Sequence, residues 1–207
     1  MAHQQLVIPA VLRFETTPCV WGILGGQFNC RRLEDKGRLQ DPWIVRQSFM
    51  RLDEDSDEVL KFLNTTGVFY EGSPDLHPIS LDAVKEWRTL IGKLTFEPDF
   101  RKWPTILDRF APKKAEGTRL ESTFSLGFDW SKRPPEVLLS ERTTLGAMLA
   151  TIHLDHARNA TFRICARPYC GAPFEPQSKQ PQKFCTPECA GADAQRRRRA
   201  RERGESA

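Results

Sequence analysis

The sequence contains no long apolar run: no segment approaches the roughly 18 consecutive apolar residues that a membrane-spanning helix requires. Its opening, MAHQQLVIPAVLRFE, also lacks the basic region followed by an apolar stretch that marks a secretory signal. We therefore expect a cytoplasmic protein without a membrane segment, in a compartment that keeps cysteine thiols reduced.

Internal repeats and a phosphate-binding loop are absent as well. No segment is repeated along the chain, and Gly25 and Gly26 do not stand between a strand and a helix, as a phosphate-binding loop requires. The residues are 39% hydrophobic and 28% charged, which is typical of a soluble globular protein. With 207 residues, the chain can bury a core without disulfides.

Residues 1–158 are predicted to form an α+β body. The first 50 residues are rich in Val, Ile, Phe and Trp and are broken by Pro and Gly, a pattern that favours short strands over a helix. One helix is predicted to begin at Ser56 as its cap and to end at Gly67. A second helix, capped by Ser80, shows apolar residues at spacings of three and four.

The second half of the body is predicted to contain more strands and helices. Pro104 favours a short helix. Residues 122–130, STFSLGFDW, alternate in polarity like a half-buried strand, and residues 136–139 can return as its antiparallel partner. A last helix, opened by Thr143 or Thr144, leads to a group of cysteines.

Four cysteines follow with the spacing C-x4-C-x14-C-x3-C, at Cys165, Cys170, Cys185 and Cys189. A module of this size buries too little apolar surface to fold alone, and in a reducing compartment a metal stabilises such modules instead of disulfides. Four thiolates suit tetrahedral Zn²⁺. The spacing therefore predicts a zinc-finger module over residues 159–195, in which zinc is structural.

The residues around these cysteines predict the local fold of the module. Gly171 permits a tight turn after Cys170, and Thr186 with Pro187 has the chemistry of a helix start. Cys185 and Cys189, four residues apart, are then expected on one face of the first helical turn. A knuckle, a hairpin and a helix in this order are a treble-clef arrangement.

The run CARPYCG at 165–171, followed by Phe174, by FCTPEC at 184–189 and by a basic tail, resembles the bacterial CGNR-type zinc finger and its relatives. The resemblance covers about the last 55 residues, and residues 190–192 are Ala-Gly-Ala where that family has Gly-Asn-Arg. It implies zinc ligation by all four cysteines. It also implies a bacterial DNA-binding transcriptional regulator, with the finger at the C-terminal end of a larger ligand-sensing or stress-associated domain.

Basic charge is concentrated at the end of the chain. From Arg163 to Ala207 there are ten Lys and Arg against five Asp and Glu, a local net charge of +5, whereas the whole chain carries +4. This asymmetry favours a polyanionic partner for that end. We expect DNA before RNA, because Tyr169, Phe174 and Phe184 are predicted to form the core of the module and leave few aromatic rings for stacking.

Residues 196–207 form a basic tail that can continue the helix begun near Pro187, and a helix with consecutive arginines displays them on all sides. The cations of the module and of this tail are predicted to contact phosphates. The predicted contacts are Lys179, Lys183, Arg196, Arg197, Arg198, Arg199, Arg201 and Arg203.

A protein-interaction module and a treble-clef nuclease are the alternative functions. The module can be a protein-interaction unit held by a zinc clip, with the arginines a solvated tail. A treble-clef nuclease would need a histidine in the finger hairpin, and residues 177–183 contain none, so we predict no catalytic residue. His153 and His156, considered as metal ligands or a general base, are instead expected at the surface of their helix or between domains.

Two further cysteines and five tryptophans belong to the predicted body. Cys19 and Cys30 have no neighbouring His or second cysteine pair, which predicts buried, unreactive thiols. The tryptophans are expected in the core or lining a pocket of the body, whose ligand the sequence does not indicate. They are Trp21, Trp43, Trp87, Trp103 and Trp130.

Overall fold

A computed structural model describes most of the chain. The described residues are 12–34, 36–53, 55–69, 78–103, 105–106, 125–129, 136–141, 143–177 and 181–204. They fold into two compact units, Met1–Asn159 and Ala160–Ala207. The architecture is α+β, as predicted, with a cluster of four cysteines in the second unit.

The described part of the first unit, the body, contains two small sheets and several helices. Its strands are β1 Leu12–Glu15, β2 Cys19–Leu24, β3 Gln27–Arg32, β4 Leu39–Gln40, β5 Ile79–Ser80, β6 Ser125–Asp129 and β7 Glu136–Ser140. Its helices are α1 Pro42–Met50, α2 Ser56–Thr66, α3 Leu81–Phe96 and α4 Thr144–Ala157, with a 3-10 turn at Phe100–Lys102.

The two sheets have the strand orders β4-β1-β7-β6 and β2-β3-β5. All pairs are antiparallel except β1 with β7, which run parallel with Leu12 opposite Val137. The antiparallel pairing of β6 with β7 confirms the predicted return strand. The strand predicted over 122–130 is observed as β6, whereas its two ends, and Pro104 of the predicted short helix, lie outside the described residues.

Local capping chemistry sets the helix boundaries. Ser80 and Thr143 cap α3 and α4 as predicted, each accepting a hydrogen bond from a backbone N–H of the first turn. Helix α2 is capped by Asp55 and not by Ser56, because the Asp55 carboxylate accepts from the N–H of Asp57. Gly67 ends α2 with φ of 84°, a conformation that glycine adopts without strain.

Helix α1 corrects the prediction that the first 50 residues form only strands. Asp41 caps this helix by accepting from the N–H groups of Trp43 and Ile44, and Pro42 occupies its first position. The Asp-Pro pair is thus a helix start that the apolar, turn-rich composition of the region concealed.

The core of the body lies where α1, α3 and α4 pack on one another. Helix α3 turns Trp87, Leu90 and Ile91 inward, and each of them is almost completely buried. Trp21 and Trp103 are also core residues, while Trp130 lies outside the described residues. None of the helices in the described part of the chain combines the length and apolar composition needed to cross a membrane.

A buried carboxylate links α1 to α4. Asp155, with no exposed surface, accepts hydrogen bonds from Trp43 Nε1 at 2.9 Å and from the Arg46 guanidinium. Arg158 Nη2 donates to the same carboxylate at 2.6 Å. Two donors on α1 and one directly after α4 therefore share one anion in the interior of the body.

Candidate functional site

The second unit begins with a short hairpin that encloses the first cysteine pair. Strand β8, Arg163–Ile164, pairs antiparallel with β9, Pro173–Phe174. Between them the N–H of Cys165 donates to Ala172 O, and the N–H of Cys170 donates to Arg167 O, both at 3.0 Å. The turn returns through Gly171 with φ of 54°, which is the conformation its glycine was predicted to supply.

The second cysteine pair lies at the start of helix α5, Pro187–Glu202. Thr186 is its cap, since its Oγ1 accepts from the N–H of Cys189 at 3.2 Å, and Pro187 opens the first turn, as predicted. Cys189 lies in that first turn, whereas Cys185 precedes the cap. The expectation that both cysteines share the first helical turn is therefore wrong for Cys185.

The structure brings the four cysteines together although their positions span 25 residues of the chain. All four Sγ atoms lie within 4.8 Å of one another. Cys185 Sγ is 3.7 Å from Cys170 Sγ and 3.6 Å from Cys189 Sγ. Tetrahedral Zn²⁺ with Zn–S bonds of about 2.3 Å places sulfurs about 3.8 Å apart, so these spacings fit the ion. The four cysteines are positioned to bind a metal ion.

Positive charge and N–H donors face the sulfurs. Arg167 Nη1 lies 3.8 Å from Cys189 Sγ, and the N–H of Cys185 points at Cys165 Sγ at 3.5 Å. Burial raises the pKa of Cys189, but hydrogen bonds from Arg167, Thr186 and neighbouring cysteines outweigh burial and lower that pKa to about 7. Burial raises the pKa of the Cys170 thiol. The site thus favours a thiolate at Cys189 even before a metal contributes its charge.

Apart from the cysteines, the second unit has a very small core. Phe174 is buried against Cys165 and Cys189, with Phe184 partly buried beside them. Tyr169 was predicted to join this core, but its side chain is 89% exposed. The turn between Cys165 and Cys170 directs the Tyr169 ring to solvent. The stability of the module therefore depends mainly on its four sulfurs, and an aromatic ring is exposed at its surface.

Helix α5 continues from Cys189 through the arginine run without a break. Three of its arginines pair with acids of the same helix: Arg196 and Arg197 with Asp193, at 3.0 and 2.9 Å, and Arg198 with Glu202 at 2.8 Å. These pairs partly neutralise the charge that the composition had assigned to a nucleic-acid partner.

The remaining predicted cations differ in their surroundings. Arg199 and Arg201 are exposed and form no ion pair within the described part of the chain. Arg203 follows the helix as its C-cap residue. Lys183 is exposed in the segment before Cys185, and its carbonyl accepts from the N–H of Ala166 at 2.9 Å. Lys179 lies outside the described residues.

The histidines of α4 take no part in a metal cluster. Among the described residues, the four cysteines are the one group of three or more His, Cys, Asp and Glu side chains close enough to share an ion. The His153 ring packs against Trp103 in a tilted arrangement with centroids 4.4 Å apart, and His156 Nε2 contacts Leu94 O at 2.9 Å. Both are packing residues within the body.

Cys19 and Cys30 are both buried in the β2–β3 ribbon, as predicted. A hydrogen bond with Cys30, followed by burial, raises the pKa of the Cys19 thiol well above its usual range, which disfavours the reactive thiolate.

Sequence reasoning missed the contact of Arg167 with the sulfurs and the exposed position of Tyr169. Both residues lie inside the knuckle, where an arginine two residues after the first cysteine is within reach of the sulfurs. No protein-family model matches the chain, and a search of curated proteins finds no significant match. The site is therefore interpreted from its own chemistry.

Proposed function

We propose that the second unit is a structural zinc module of a cytoplasmic, bacterial nucleic-acid-binding protein, a transcriptional regulator of the CGNR type. The observation that carries the proposal is the continuity of α5, which joins a four-thiol metal centre at Cys189 to exposed arginines about two to three turns later. The metal would be held by Cys165, Cys170, Cys185 and Cys189, and its binding energy would order the helix.

Phosphate contact is proposed first for Arg199 and Arg201, because they have no acid partner among the described residues and their charge is not offset locally. Arg196, Arg197 and Arg198 would have to exchange their carboxylates for phosphates. Contacts of this kind position a protein on the backbone without reading the sequence of the bases.

Tyr169 bears on which nucleic acid is bound. An exposed aromatic ring can stack on an unpaired base, and each such stack contributes about 1–3 kcal/mol. DNA remains the proposed partner, but the exposure of Tyr169 removes one reason for placing duplex DNA ahead of single strands and RNA.

The same exposure favours one alternative. Tyr169 and Ile164, 89% and 61% exposed, both belong to the hairpin segment of the module, and exposed apolar side chains of this kind are what a protein-interaction module with a zinc clip would present. In that case the arginines of α5 would be incidental to binding.

The test is binding of the zinc-loaded full-length chain to fluorescent duplex DNA, single-stranded DNA and RNA over a salt series. Truncation after Ala194 would cut α5 in its middle, so we favour the double variant Arg199→Ser/Arg201→Ser. The matched control is Arg31→Ser/Arg32→Ser, which removes two exposed arginines from β3 in the body.

We expect log K to fall with log salt, and the slope to become shallower by about 1.8 in the α5 variant, since each duplex phosphate contact contributes about 0.9. The β3 control should keep the original slope. Absence of binding at low salt, or equal slopes for the α5 variant and the original chain, would refute the nucleic-acid proposal and leave the protein-interaction alternative.

A further inference from the structure

A cleft of about 400 Å³ lies between α1 and α2 in the body, away from any residue assigned a role so far. One face of α1 lines it, including Ile44, Val45 and Arg51, and one face of α2 lines it, including Lys61 and Phe62. Volumes of this order are typical of sites for small organic ligands.

The cleft is bounded at both ends. At one end Arg51, Leu52 and Asp53 turn the chain from α1 towards α2, and they line the cleft. At the other end Gln40 Nε2 donates to Thr65 O at 2.7 Å, which ties the end of β4 to the last turn of α2. The space between the helices is therefore limited in length and suits a small molecule better than an extended chain.

The inner part of the cleft is apolar. Val45 and Phe62 are buried members of the main core, and the ring of Phe62 packs 5.5 Å from that of Phe49. Ile44 lines the same space with a side chain that is 62% exposed to solvent. A ligand with an apolar part would remove Ile44 from water without any rearrangement of the core.

Charged groups of both signs surround this apolar part. Arg51 and Lys61 line the cleft together with Asp53 and Glu58, and none of the four forms an ion pair within the described residues. Arg51 Nε is buried without a hydrogen-bond acceptor, although buried donors are almost always paired. The guanidinium therefore lacks an anion, while the two acids disfavour a ligand with several negative charges.

We propose that this cleft binds a small organic monocarboxylate with an apolar body. Arg51 and Lys61 would hold the carboxylate, and Ile44, Val45 and Phe62 would cover the apolar part. This assignment concerns the body alone and does not depend on the function proposed for the second unit.

The experiment is calorimetric titration of the full-length, zinc-loaded chain with 4-phenylbutyrate, its neutral amide 4-phenylbutyramide, and inorganic phosphate. We expect saturable binding of the carboxylate and at least tenfold weaker binding of the other two compounds. The amide loses the charge-assisted contact with arginine, and phosphate has no apolar part to fill the inner cleft.

Two variants and one control locate the site. Arg51→Gln should weaken phenylbutyrate binding at least tenfold, and Ile44→Glu should do the same while changing an exposed side chain that the fold does not need buried. Arg101→Gln, at a 91% exposed arginine outside the cleft, should leave binding unchanged. Thermal unfolding of each variant checks that it is folded.

The proposal is overturned if the carboxylate shows no saturable binding, if the amide or phosphate binds as tightly, or if folded Arg51→Gln binds like the original chain. Each of these results leaves the nucleic-acid proposal untouched, since that proposal is measured on α5.

Discussion

Replacing Asp155 should destabilise the body more than replacing any exposed acid. In Asp155→Ala the Arg46 guanidinium, 6% exposed, loses its carboxylate, and Trp43 Nε1 and Arg158 lose their acceptor. Removal of one partner from a buried ion pair costs about 3–5 kcal/mol. For a domain of about 150 residues, each kcal/mol lowers Tm by about 2–4 °C, so we expect a decrease of about 6–20 °C.

Tryptophan fluorescence is the appropriate assay because every tryptophan of the chain belongs to the body. Urea titration should give a lower midpoint with an unchanged m-value if Asp155→Ala alters stability alone. Asp82→Ala is the matched control: its carboxylate is 87% exposed and lies 3.8 Å from Lys85 Nζ, and such exposed pairs contribute about 0.5 kcal/mol.

Asp155→Asn keeps an acceptor oxygen but removes the charge, so its stability should fall between that of the original chain and that of Asp155→Ala. A loss below about 1 kcal/mol in Asp155→Ala, similar to the Asp82→Ala control, would refute the reasoning. Such a result would show that the Arg46 guanidinium can be buried at little cost in folding free energy without the Asp155 carboxylate.

Three further predictions concern the metal centre and α4. A zinc chelator should abolish the helical circular dichroism of α5, because the second unit has little core besides its sulfurs. Tryptophan fluorescence, which reports on the body, should stay unchanged. An unaltered dichroism spectrum would contradict this prediction. Arg167→Gln should lower zinc affinity about tenfold in a competition titration, whereas the control Arg101→Gln should leave it unchanged. Equal zinc affinities of Arg167→Gln and the original chain would exclude a role for Arg167 at Cys189. Burial, followed by the charge of His156, holds the pKa of His153 below its usual 6.5. Stability should therefore decrease as pH falls below about 6.5, where the unfolded state takes up a proton that folded His153 refuses, and His153→Gln should flatten this dependence in thermal unfolding measured from pH 8 to 5.

Local chemistry made several features predictable from the sequence. The caps at Ser80 and Thr143 require only a side-chain oxygen beside the first turn of a helix. The end of α2 at Gly67 requires only a residue that accepts a positive φ, which glycine does without strain. The cysteine spacing likewise predicted a four-thiol module, because two closely spaced pairs of cysteines are typical of tetrahedral zinc sites.

Where local signals were weak or ambiguous, prediction failed. Cys185 was expected in the first helical turn, but it directly precedes Thr186, the residue that caps the helix. Tyr169 was assigned to the core because aromatic residues of small modules are commonly buried, yet its place in the turn directs it to solvent.

The sequence by itself determined the α+β composition, most helix starts and the identity of the four clustered cysteines, because each depends on residues close together in the chain. Only the tertiary structure decided the parallel pairing of β1 with β7, the contact of Trp43 with Asp155, and the cleft between α1 and α2. The contact of Trp43 with Asp155 joins residues 112 positions apart, and the pairing of Leu12 with Val137 joins residues still farther apart. The cleft depends on how two helices pack, which no local sequence pattern encodes.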